Sequence, residues 1–269
     1  TLYLYRSKRQ DVPARPFGLS MLAAGLLALL LVPPHRGFEL DVLDVGQGDG
    51  CFVRTTQGYT AFVDGGSSDV KKVGEYRILP FLKYNGVRRI DCWVVSHADS
   101  DHISGLTELL EQGYEIRCLV LSAGIVRDEA HQKLETLAAE NGTKLVYMDA
   151  GDSLYLGEAR LLALHPSART AAGTDRNAAS LVLRYEEGAF TGLFTGDIGI
   201  AEEEKLLREM TGSVTFYKAA HHGSDHSNSK EWLAALRPLV TTVSCAAENS
   251  YGHPGEEAVA HIRASGSGI

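Results

Sequence analysis

The chain has 269 residues, 44% of them hydrophobic, enough to bury a substantial core in one large domain or two small ones. A formal net charge of −8 argues against a generally basic surface of the kind that holds a polyanion. Cys51, Cys92, Cys118 and Cys245 stand singly inside apolar runs with no CxxC pair; they indicate neither a disulfide framework nor a cysteine metal site and read as buried free thiols.

The chain opens on Thr1, closes on "ASGSGI", and reads as a piece of a longer protein. Its first apolar run, "FGLSMLAAGLLALLLV" (17–32), is uncharged and stops at Pro33-Pro34. Such a helix spans about 24 Å, slightly short of a hydrocarbon core of about 30 Å. It is expected to be a transmembrane helix closing a membrane region, residues 1–34. A signal peptide is the main rival, but no A-x-A site precedes Pro33. Arg6, Lys8, Arg9 and Arg15 precede the run and only Arg36 closely follows it. That bias places residues 35–269, expected as a single domain, on the extracytoplasmic side of the cell membrane.

From Phe38 onward strand-like and helix-like segments alternate. "FELDVLDV", "CFVRTT" and "TAFVDGG" read as strands, the last two as a hairpin through Gln57-Gly58. "YRILPFLKYNG" reads as a short helix, and "RIDCWVVSH" as a strand covered on both faces. "HISGLTELLEQG" (helix), "RCLVLS" (strand) and "DEAHQKLETLAAENG" (helix) follow. A strand-rich stretch comes next: "KLVYMDA", "ARLLALHP" and "SLVLRYEEGAFTGLFTGD". The last third predicts helix 200–210, strand 215–220, helix 229–236, strand 239–246 and helix 256–264. The pattern suggests two packed sheets with helices outside, although periodicity alone does not separate this from a doubly wound sheet.

Candidate ligands recur at strand ends. His97, Asp99, Asp101 and His102 follow "CWVVS", and His165 follows "RLLAL". Asp197 follows "GLFTG", His221 and His222 follow "FYKAA", and His253 follows "VSCAAENSYG". One histidine at a strand end is usually a packing residue; a run of such loops is better explained by a shared task. In "HADSDH", alternate positions 97, 99 and 101 can point one way while His102, at a helix start, reaches a second ion. Carboxylates and neutral imidazoles suit Zn²⁺, Mn²⁺ or Fe²⁺, and a neighbouring ion about 3.5–4 Å away needs a bridging carboxylate, for which Asp197 is the candidate.

"HADSDH", a later His, "TGD" and a terminal His together resemble the metallo-β-lactamase fold superfamily. The ordered series "LDVGQGDG", "FVDGG", "SHADSDHISG", "NAASLVLR", "LFTGD", "HHGSDHS" and "YGHP" is similar to the C-terminal domain of ComEC-type competence DNA-uptake channel proteins. This resemblance implies an αββα sandwich holding two divalent metal ions, Zn²⁺ or Mn²⁺. It assigns His97, Asp99 and His165 to one ion and Asp101, His102 and His253 to the other, with Asp197 bridging. Where the superfamily usually has a third-position His, this chain has Asp99, and the extra carboxylate shifts preference toward Mn²⁺.

His221 and His222 compete with His253 as ligands; by resemblance to the nuclease branches, "HHGS" contacts the substrate phosphate. Asp101, His221 and His222 are then the catalytic residues, one imidazole protonating the leaving oxygen, with Gly223 and Ser224 as further substrate donors. Asp64 orients a ligand histidine. Asp44, Gln47 and Asp49 shape the floor of the site or form a simple turn, and Asn177 and Ser180 support loops. The activity implied is that of a metal-dependent phosphodiesterase: a DNA nuclease degrading one strand of incoming DNA during uptake, with DNA, the membrane and other competence-channel components as partners. The alternatives are hydrolysis of another phosphodiester or cell-wall substrate, and a non-catalytic, metal-stabilised module of the channel.

Overall fold

The computed structural model describes residues 14–31, 37–167, 175–208, 210 and 212–269. Contacts divide the chain into two units, Thr1–His35 and Arg36–Ile269. In the first, helix α1 (Ala14–Leu31) coincides with most of the expected apolar span, and its side chains at 18–27 are exposed. Among the described residues, no helix is long and apolar enough to cross a membrane. The flanking Arg6, Lys8, Arg9, Pro33, Pro34 and Arg36 lie outside the described residues.

The second unit is built on two six-stranded mixed sheets. The first contains β1 (Glu39–Val42), β2 (Gly50–Arg54), β3 (Thr60–Asp64), β4 (Cys92–Val94), β5 (Cys118–Ser122) and β6 (Lys144–Met148), in that spatial order. Pairing is antiparallel from β1 to β3 and parallel from β3 to β6. The helical turn Gly74–Ile78 with α2 (Leu79–Tyr84), then α3 (Ser100–Glu111) and α4 (Glu129–Glu140), make the crossovers.

The second sheet repeats this plan with β7 (Ser153–Leu156), β8 (Ala159–His165), β9 (Val182–Glu187), β10 (Phe190–Phe194), β11 (Phe216–Lys218) and β12 (Val240–Thr242). Its pairing turns from antiparallel to parallel at β10–β11. Helices α5 (Ile200–Leu206), α6 (Lys230–Leu236) and α7 (Glu256–Ala264) follow its later strands. Strand β7 is the element the sequence pattern did not disclose, being only four residues between a turn at Ala150-Gly151 and Gly157.

Side-chain alternation explains the layering. Phe62, Trp93 and Leu119 point to one side of the first sheet and pack on Leu106, Leu109 and Leu134 of α3 and α4. Their neighbours Val63, Val94 and Val120 point to the other side, against Leu161, Leu183 and Phe194 of the second sheet. Leu193 and Tyr217 line the far face of that sheet with Leu206, Trp232 and Ile262. A strand buried on both faces must be apolar at every position, which is why "CWVV" reads as an unbroken run. The result is the expected helix–sheet–sheet–helix order. Phe62 stacks on Trp93 with ring centroids 4.3 Å apart, centring the first outer layer.

Candidate metal centre

Loops leaving β3, β4, β10 and β11 bring the polar groups together. Asp99 is the N-cap residue of α3, yet its carboxylate makes no capping bond and turns instead to His97 and Arg176. Asp101 and His102 occupy the first helical turn, where the helix dipole favours a carboxylate. Asp197 arrives on the loop after β10, and that loop approaches closely because Gly196 has φ +52° and no side chain. A Cβ there would lie 2.7 Å from Ser96 Cβ and 2.9 Å from Ser180 Cβ.

After β11 the backbone is left-handed at two consecutive non-glycine residues, His221 (φ 49°, ψ 49°) and His222 (φ 54°, ψ 26°). Each such residue costs on the order of 1–3 kcal/mol, and strain of this kind is retained where it aims functional side chains. Asp64, at φ 58°, is a third.

Asp101, His102, Asp197 and His222 each offer a donor atom, and these four atoms lie within 4.8 Å of one another. His102 Nε2 is 3.3 Å from Asp197 Oδ2; His222 Nε2 is 3.3 Å from Asp101 Oδ2 and 3.5 Å from Asp197 Oδ2. The opposite ring nitrogens are already engaged. His102 Nδ1 lies 3.0 Å from Asp64 Oδ2, and His222 Nδ1 lies 3.0 Å from the Ser244 carbonyl. His97 Nδ1 meets the hydroxyls of Ser96 at 3.0 Å and Ser180 at 3.3 Å.

In consequence the buried Nε2 atoms of His97, His102 and His222 and Asp197 Oδ1 have no hydrogen-bond partner. Burying so many unsatisfied polar atoms together is costly unless something binds them. Nitrogen and oxygen donors with their outer nitrogens held fit a divalent cation of the zinc or manganese type. His97 and Asp99, 3.5 Å apart, stand beside this cluster, with the His97 and His102 rings 4.1 Å apart. Arg176 pairs with Asp99 and with Asp128, offsetting charge at that end.

Several expectations are corrected. His165 does not join the cluster: it ends β8, two strands from β10, with Nε2 2.8 Å from the Ala178 carbonyl, and it lines a separate cavity with Ala150 and Lys205. His222, expected at the substrate phosphate, is the donor beside Asp101 and Asp197. His253, also expected as a donor, lines the cavity over the cluster, its ring centroid 6.2 Å from that of His222 and its buried Nδ1 without a hydrogen-bond partner.

Asp44 is exposed and pairs with Arg77 at 3.1 Å, away from the floor of the site. Gly223 and Ser224 are buried and hold the loop together: the Gly223 carbonyl accepts from Gly255, and Ser224 Oγ accepts from His226. Neither lines the cavity over the cluster. Asp64, by contrast, orients His102 and also accepts from Ser96 N at 2.8 Å. Asn177 lines the cavity, and Ser180 Oγ accepts from Asp197 N at 3.2 Å as well as meeting His97.

Sequence reasoning missed Lys218. Its ammonium is buried against Asp49 at 2.7 Å, and Asp49 Oδ1 is 3.3 Å from His222 Nδ1. The signal was a lysine in an otherwise apolar strand, "FYKAA". Asp49, Asp64 and His102 also come together. Because Asp49 is committed to Lys218 and Asp64 to His102 and Ser96, that trio supports the centre from behind.

Electrostatics follow from this crowding. Burial opposes protonation of His102, but Asp197 and Asp64 outweigh it and hold its pKa well above the ordinary imidazole value. For His222 the same opposition is overcome by Asp197, Asp49 and Asp101, again raising it. Burial lifts the Asp197 carboxyl, yet His102 and His222 together keep it well below the carboxylate range. Asp99 is held at about 2, chiefly by the adjacent His97 imidazole, with burial opposing and Arg176 assisting.

A cation must therefore displace protons from His102 and His222. Because both pKa values are raised, metal affinity should rise with pH, by up to about ten-fold per unit for each proton displaced. Titration calorimetry with Mn²⁺ in two buffers of different ionisation enthalpy measures this as proton release. Affinity unchanged between pH 6 and 8, with no protons released, would contradict it.

The mouth of the centre is a cavity of about 740 Å³ reached by Asp99, Asp101, Asp197, His221 and His222. The family model for the beta-lactamase superfamily domain matches residues 63–241. The chain belongs to that superfamily. ComE operon protein 3 of Bacillus subtilis (strain 168) is 30% identical over 230 residues, covering 80% of this chain and 29% of that protein. Competence protein ComA of Neisseria gonorrhoeae is 30% identical over 256 residues, covering 94% of this chain and 33% of that protein. This chain thus spans about a third of the length of the curated relatives it matches. Among solved structures, the metallo-beta-lactamase fold protein YhfI from Bacillus subtilis superposes with a TM-score of 0.54 at 13% identity, covering 82% of this chain and 93% of that one.

Proposed function

We propose that this domain is a metal-dependent phosphodiesterase acting on DNA during uptake at the membrane. The observation that carries the reading is the four-donor cluster of Asp101, His102, Asp197 and His222, with its unpartnered Nε2 atoms, at the base of an open cavity. Two divalent ions, when bound, would supply Lewis acidity toward a phosphoryl oxygen and acidify a water. Asp101, His102, Asp197 and His222 would hold one, and His97 and Asp99, sharing Asp197, the other.

The chain's own groups supply the rest. Asp64 fixes the His102 tautomer and the Ser244 carbonyl that of His222, so both rings present Nε2 to the centre. His221, half-buried with Nε2 3.9 Å from Asp197 Oδ2, is the imidazole left to face substrate. Burial lowers its pKa, with Asp197 opposing, so it stands largely neutral near pH 7. A neutral ring still donates one N–H to a phosphoryl or leaving oxygen. His253, on the outer side of His221 at 5.5 Å between ring centroids, limits where that ring can turn.

The competence-type relatives support DNA uptake as the setting, while the extracytoplasmic location and the 17–32 anchor rest on the charge bias around that segment alone. Glu108 and Glu111 on the cavity wall and the net charge of −8 favour a second reading, a smaller phosphodiester. The test is incubation of the purified domain with end-labelled single- and double-stranded DNA and with a small diester reporter, in Mn²⁺, in Zn²⁺ and in chelator. Metal-dependent DNA cleavage supports the first reading. Cleavage of the reporter alone favours the second, and no cleavage of either overturns both.

A further inference from the structure

Tyr251 stands at the mouth of the cavity with 64% of its surface exposed. Large aromatic side chains are usually kept from water, and here the backbone holds the ring out. Asn249 pins the loop on both sides: its Oδ1 accepts from Tyr251 N at 3.1 Å and His253 N at 3.0 Å. Its Nδ2 donates to the carbonyls of Ala246 at 2.9 Å and His253 at 2.6 Å. The ring lies against His253, centroids 5.7 Å apart and planes 23° from parallel. His253 in turn contacts His221, which reaches the metal centre. A run of rings, stacked at Tyr251–His253 and edge-to-face at His253–His221, therefore leads from the solvent edge toward the reacting position.

Charge in the same cavity points the same way. Among the described residues, the two Lys/Arg side chains on its wall are both committed, Lys133 to Glu111 at 2.7 Å and Arg176 to Asp99 and Asp128. With little free positive charge among those residues to track a phosphate backbone, a nucleic acid gains from a non-ionic foothold. An aromatic face supplies one, because every base has a π-face that stacks regardless of sequence.

We infer that Tyr251 is a nucleobase-stacking platform that makes the site selective for single-stranded nucleic acid. A base in a duplex is already stacked between its neighbours and cannot lie on the ring; an unpaired base next to the scissile phosphate can. The inference rests on the phosphodiesterase reading and adds the substrate class to it.

The test compares kcat and KM, in Mn²⁺, for a single-stranded oligonucleotide and for one of equal length whose sugars are abasic. The native protein should show a KM about ten-fold lower for the base-bearing strand. Tyr251→Ala should erase that preference by raising KM for the base-bearing strand, whereas Tyr251→Trp should keep it. Equal KM values for the two strands in the native protein, or a preference that survives Tyr251→Ala, would overturn the platform while leaving the nuclease reading in place. Failure to cleave either strand, with a small diester reporter still hydrolysed, would overturn both.

Discussion

Replacing Asp197 with alanine is expected to lower phosphodiester hydrolysis by at least about a thousand-fold and to strip the centre of metal. This carboxylate is 4% exposed, and both Nε2 atoms of the central histidines lean on it. Its Oδ1 has no hydrogen-bond partner, so its second oxygen is available to a neighbouring ion. On the proposed assignment, removing it takes a ligand shared by both ends of the centre, and with it the first of the carboxylates that offset His102 and His222. The fold should survive, because Asp197 stands on a loop whose backbone is held independently: His221 N donates to the Gly196 carbonyl at 3.0 Å.

Three measurements separate the outcomes: initial rates on a diester reporter, metal content by atomic emission, and circular dichroism. A folded protein with native metal content and a rate within ten-fold of the native value would refute the assignment. Asp197→Asn keeps the shape and removes the charge, and should be nearly as inactive if charge is what matters.

The second large effect is one of stability. Lys218→Met should destabilise the domain by about 3–5 kcal/mol, because it leaves Asp49 buried without its cation. The pair is almost wholly enclosed, with side-chain exposures of 3% and 4%. Burial lifts the Asp49 carboxyl, but the Lys218 ammonium and the His222 imidazole outweigh it and hold its pKa far below normal, so the carboxylate stays ionised. Burial likewise works against the ammonium, and Asp49 keeps it charged.

The cost is that of stranding one charge, so the double variant Lys218→Met, Asp49→Leu should recover at least half of the loss. Urea denaturation of the metal-free proteins measures all three. A single variant within about 1 kcal/mol of the native protein would show that water or His222 replaces the lysine. The double variant should remain catalytically impaired, since Asp49 also steadies His222.

How far the sequence speaks depends on the range of the interaction involved. The buried strands were legible because alternation and continuous apolar runs are local consequences of facing one core or two. "CWVV" follows this directly, with Trp93 in one layer and Val94 in the next. The donor types were legible as well, since His97, Asp99, Asp101, His102 and Asp197 all sit just past strands and the structure gathers them. Strand β7 escaped because four residues between turns carry too little periodicity.

The residues whose place differed share a different cause. His165 and His222 both follow apolar runs, and nothing within a few residues of either says which strand end lies nearest the centre. Sheet order decides it: β10 and β11 are neighbours, whereas β8 lies beyond β9. Two consecutive left-handed residues then turn His222 inward, a conformation uncommon for any residue but glycine. The pairings of Arg176 and Lys218 were hidden for the same reason, since their partners Asp99 and Asp49 are 77 and 169 residues away along the chain.

Burial periodicity and donor chemistry are written residue by residue, so the layered α/β plan and the kinds of groups at the centre could be read along the chain. Which imidazoles meet Asp101 and Asp197, which charges hold them there, and the exposure of Tyr251 at the entrance could not. Those depend on which loops the sheets bring within a few ångströms of one another.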